Sequence, residues 1–117
     1  MQETYHSTER IAKADLALMM KRSDRPAIQR FLLMVALFVL TGWSAVISWD
    51  GALWHIVGSQ LAFGMMCCST FACEHETVHN TAFKSRGMNQ VAAFLCGIFH
   101  VYPSVAFKEL HFTHHRY

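Results

Sequence analysis

Two clusters of imidazoles carry the chemistry open to this chain. The first is His75-Glu76-Thr77-Val78-His79 and the second is His111-Phe112-Thr113-His114-His115; together they hold five of the eight histidines. On an α-helix, residues four apart stand above one another on one face, about 6 Å along the axis. His75 and His79 are therefore predicted to aim at one point, and His111, His114 and His115, at i, i+3 and i+4, share a second face. Five neutral imidazoles suit a divalent first-row metal such as iron or zinc far better than calcium or magnesium. The first cluster also fits H-E-x-x-H, in which two histidines hold zinc and the glutamate is the general base of a peptidase. A zinc centre of that kind needs one more protein ligand and leaves the second cluster without a role. Glu76 and Glu109 adjoin the clusters and are candidate acceptors for imidazole N–H groups. Asn80 and His100 are candidate extra donors, whereas His55 and His6 are given no role.

The elements that position these residues belong in a membrane. Apolar residues make up 53% of the chain and charged ones only 15%, against a usual soluble value of about 25%. Length allows one domain. The net charge of +2 is too small and scattered to suggest a nucleic-acid partner, and none is expected. Residues 31 to 49 contain no charge, and at ~1.5 Å each they span roughly 28 Å, one hydrocarbon core. A second uncharged run, 52 to 73, follows the turn at Asp50-Gly51, with Trp49 and Trp54 at interfacial depth. Gly58 and Ala62 offer a small-residue face for helix contact.

Residues 1 to 30 form a lead-in with an amphipathic helix from Thr8 to Arg22, resting in the headgroup region or on a protein surface. They lack a secretory signal. Asp24 is predicted to cap the next helix, with Pro26 in its first turn. Lys13, Lys21, Arg22, Arg25 and Arg30 precede the first span and the inter-span turn has no cation, so the amino end and both histidine clusters are expected on the cytoplasmic side. Residues 88 to 101 are apolar but short for a span, and suit an interfacial or re-entrant helix. Ser104 is then predicted to cap a helix running through the second cluster. The fold expected is all-α: a membrane helical hairpin plus interfacial helices. Cys67, Cys68, Cys73 and Cys96 form no C-x-x-C pair and read as packing residues.

The run His-Glu-Thr-Val-His-Asn-Thr-Ala-Phe at 75 to 83, with Phe-Lys-Glu-Leu-His-Phe-Thr-His-His-Arg-Tyr at 107 to 117, resembles the first two histidine boxes of membrane fatty acid desaturases. The resemblance covers residues 31 to 117. It implies that His75, His79, His111, His114 and His115 are ligands of a non-haem di-iron centre. It further implies O2 as co-substrate, a fatty acyl lipid as substrate, and electrons from a ferredoxin, cytochrome or reductase. Related carotenoid and alkane hydroxylases carry similar boxes, so lipid hydroxylation or ketolation is the alternative reaction. Thr81-Ala82-Phe83 after the first box favours the desaturase. The family's third box and two further spans are not found in these 117 residues. The sequence therefore reads as an amino-terminal fragment, expected to be inactive alone.

Overall fold

The structure, a computed structural model, describes residues 13 to 116. Residues 8 to 12 of the expected lead-in helix, His6 and Tyr117 lie outside the described residues. Five α-helices and no strand occur among the described residues: α1 (Lys13–Met19), α2 (Asp24–Ile47), α3 (Leu53–Val78), α4 (Arg86–Phe99) and α5 (Ser104–His114). None of the α1 residues is buried.

α2 and α3 are each long and apolar enough to cross a membrane. Their outward side chains explain why water is the wrong solvent. Leu32, Leu33, Leu40, Trp43, Leu61 and Met65 are all more than 60% exposed, an apolar surface far larger than a soluble monomer presents. The inward face of α2 repeats at helical spacing through Phe31, Met34, Phe38, Gly42, Ala45 and Ser48. Helix contact in lipid depends on close packing and polar pairs rather than on a hydrophobic drive. Here the Ser48 and Ser59 hydroxyls meet at 2.6 Å near the turn. Gly42 admits the Phe63 ring, which a Cβ there would meet at 3.0 Å. Gly58, by contrast, has nothing within 4 Å of such a Cβ. The expected Gly58–Ala62 contact face is thus replaced by Gly42 on the partner helix, because the rotation of α3 turns Gly58 outward.

Two helix starts also differ from expectation. Ser23 is the N-cap of α2, and Asp24 is used across the fold: its Oδ1 accepts the backbone N–H groups of Lys84 and Ser85. The Arg22 guanidinium donates to the carbonyls of Asn80, Thr81 and Phe83. Both ends of that loop are thereby tied to the start of α2. Pro103, not Ser104, is the N-cap of α5, since a residue before a helix must be extended and Pro103 at ψ 122 is.

α4 packs along α3, and its final Phe99 stacks on Phe38 of α2 at 4.5 Å. α5 then departs at 102° from the α4 axis. The corner is made by Val101, which adopts φ 54, and by the Tyr102 N–H donating to the Gly97 carbonyl at 2.9 Å. This bend returns the chain to the end of α3 that bears the first cluster.

Candidate metal centre

His75 stands in the last turn of α3, and His79 is that helix's C-cap, still in αR geometry. Asn80 ends the helix with φ 57, a left-handed conformation that asparagine tolerates better than most residues. Thr81 then folds back, donating through its backbone N–H and its hydroxyl to the Glu76 carbonyl. On α5, His111 and His115 lie one turn apart, with His115 as C-cap.

The two pairs meet. His75, His79, His111 and His115 each offer a ring nitrogen such that all four atoms lie within 4.8 Å of one another. His111 Nε2 is 2.7 Å from His79 Nε2 and 2.9 Å from His115 Nε2. A ring nitrogen carries one proton or one lone pair, so His111 Nε2 cannot form a good linear hydrogen bond with both neighbours. Converging donors of this kind are reconciled by a cation. Nitrogens bound at about 2.0–2.1 Å to one ion stand roughly 3 to 4 Å apart, and the separations here, from 2.7 Å to no more than 4.8 Å, bracket that range. The residues present therefore fit a first-row metal ion held by imidazole.

His111 is the hub. Partial desolvation, followed by the neighbouring charges of His115, His75, His79 and His114, holds its imidazole below the usual histidine range. A neutral ring is the form that ligates. Phe107 stacks on the His111 ring at 5.4 Å, and Phe112 meets His79 edge-on at 5.4 Å. Phe71 meets Phe107 in turn, so aromatic carbon lines the flank of the cluster.

The other candidates separate clearly. His114 is exposed and outside the four-nitrogen group, its ring 6.0 Å from that of His115. Glu76 lies 3.8 Å from His75 Nδ1, but its carboxylate accepts the Thr81 hydroxyl at 2.5 Å. Glu109 contributes its backbone carbonyl to Thr113. Asn80 is exposed and serves Arg22 through its carbonyl. His55 stacks on Trp54 at the opposite end of the hairpin. His100 is not in the cluster: its Nε2 is 2.9 Å from Thr70 Oγ1 and 3.0 Å from the Cys67 carbonyl. All four cysteines are free thiols.

Sequence reasoning passed over Glu74. It adjoins His75, is 0% exposed, and places Oε2 3.4 Å from His100 Nδ1. Its one sequence signal was a carboxylate at the end of an otherwise uncharged run, where an ionisable group is costly and calls for a partner.

Among known families, the model described as fatty acid desaturase matches residues 52–117, more than half of the chain. No curated protein matches the chain, and no solved structure matches it.

Proposed function

This chain belongs to the fatty acid desaturase family, and from that premise we propose that it serves O2-dependent desaturation of a membrane fatty acyl lipid. The observation that carries the reading is the convergence of His75, His79, His111 and His115 from two helices on one point. These four imidazoles would hold iron. When bound, the metal supplies reduction of O2 and oxidation of an unactivated C–H bond, chemistry that no side chain performs by itself.

The chain's own residues do the rest. α3 and α5 fix the imidazoles in a common geometry, and His111, kept neutral, presents a lone pair. Phe71, Phe107 and Phe112 exclude water from one flank. Removing two hydrogens from adjacent acyl carbons yields two electrons, while reducing O2 to two waters takes four; the other two come from an external donor such as a ferredoxin, a cytochrome or a reductase. Four imidazoles make the shell of about one ion. A di-iron centre therefore draws further donors from beyond this cluster, with His114, exposed beside it, as the nearest addition. The cations Arg22, Arg25, Arg30, Lys84, Arg86 and Lys108 all fall at the cluster end of the hairpin's sequence, which favours a multi-pass arrangement with that end cytoplasmic.

The test is metal binding by the full 117-residue chain in detergent. Fe(II) under anaerobic conditions, or Co(II) as a spectroscopic substitute, is expected to bind with an imidazole ligand field. His79→Ala and His111→Ala should each lower affinity at least tenfold, whereas His114→Ala should lower it less. Wild-type affinity in both His79→Ala and His111→Ala would remove the centre.

A further inference from the structure

The pair formed by buried Glu74 and half-buried His100 is used by nothing described so far. Glu74 lies on the last long turn of α3, one residue before the first ligand, and has no exposed surface. His100 is the C-cap of α4, four residues before α5 begins. Among the described residues, neither Glu74 oxygen nor His100 Nδ1 has a hydrogen-bond partner of full geometry. Their one polar contact is with each other, at 3.4 Å.

The other ring nitrogen fixes the protonation pattern. The Cys67 carbonyl can only accept, and the Thr70 hydroxyl already donates its proton to that carbonyl at 2.8 Å. His100 Nε2 must therefore be the donor to both. Nδ1 is left facing the carboxylate. Lone pairs on both atoms would repel, so one proton is held between Nδ1 and Oε2. A buried charge or polar group stays where it is only while its partner is in reach. The surroundings leave little slack: a Cβ on Gly97 would come 3.5 Å from Glu74 Oε1 and 2.6 Å from the Tyr102 carbonyl. Glu74, Gly97, His100 and Tyr102 thus meet where α4 hands over to α5.

We infer that Glu74 and His100 are positioning residues that pin the α4–α5 corner to α3 and so set the separation between the two histidine pairs. The inference rests on the reading of those pairs as a metal centre. α3 carries one pair and α5 the other, and His100 is the polar side chain near the corner that reaches back to α3 through three groups.

The experiment is Co(II) binding by the full chain in detergent, following affinity and the visible d–d spectrum at saturating metal, with far-UV circular dichroism on each sample. Glu74→Gln and His100→Phe are each expected to weaken binding at least tenfold and to shift the d–d band, with helix content retained. A merely structural role would leave the band of the saturated site in place. Where either variant fails to fold, Thr70→Val, which removes only the hydroxyl that orients His100, is expected to give the same shift with a smaller loss of affinity. Wild-type affinity and spectrum in the variants that fold, beside a His79→Ala control that has lost metal, overturns the pair's role alone. Undiminished binding by both His79→Ala and His111→Ala overturns the centre and this role with it.

Discussion

Replacing Gly97 by alanine tests the corner between α4 and α5 with a single methyl group. That methyl would meet the Tyr102 carbonyl at 2.6 Å and the Ser104 nitrogen at 3.1 Å, both backbone atoms, so no side chain can swing aside. Restoring ordinary contact at 3.4 Å requires the corner to move by about 0.8 Å. Overpacking of this kind costs about 1–3 kcal/mol. His111 follows Ser104 by two helical turns on α5, so the displacement is passed to a ligand whose metal bond tolerates only about 0.2 Å. Co(II) affinity is expected to fall by roughly 5- to 150-fold, the equivalent of that strain. The control is Gly87→Ala in the same helix, where a Cβ meets nothing within 4 Å and alanine is the better helix former by about 1 kcal/mol. It should bind metal normally and melt no earlier than wild type. The reasoning is refuted if Gly97→Ala matches Gly87→Ala in both affinity and melting.

Phe83→Ala removes a ring that is 2% exposed and sits edge-on to Phe31 at 5.9 Å; truncation of a buried phenylalanine costs about 3–5 kcal/mol, and thermal melting in detergent should show it, with Leu32→Ala on the lipid side as a mild comparison. Acidification is expected to destabilise the metal-free chain. The native His111 imidazole is held below its ordinary range, so near pH 6.5 the unfolded state binds more protons than the folded one. Stability then rises with pH through that window and is lost as pH falls through it. Melting of the metal-free chain at pH 7.5 and 5.5, compared with His111→Ala, checks this: the variant should show the weaker pH dependence.

The readable parts of the fold were those written in local pattern. The uncharged runs announced apolar helices, and the spacing of His75 with His79 and of His111 with His115 announced a shared face on each helix. The family membership read from the two boxes agrees with the match over residues 52–117. What could not be read depends on partners far apart in the chain. Gly42 and Gly58 look equivalent in sequence, and only the rotation of α3 decides which one faces Phe63. Asp24 has the chemistry of a helix cap, yet its carboxylate is claimed by N–H groups sixty residues later. His114 has the spacing of a ligand on a helix face and stands exposed outside the four-nitrogen group. Glu74 needed His100 beside it to acquire meaning, a contact between α3 and the end of α4 that no local pattern announces.

The moorings of Arg22 and Asp24 bear on how force travels through this chain. The short connection from Asn80 to Ser85 would, by its length, be the most deformable joint between the two halves of the centre. Instead three of its carbonyls are grasped by one guanidinium and two of its amides by one carboxylate. The start of α2 and the loop that follows His79 are thus held together as one piece.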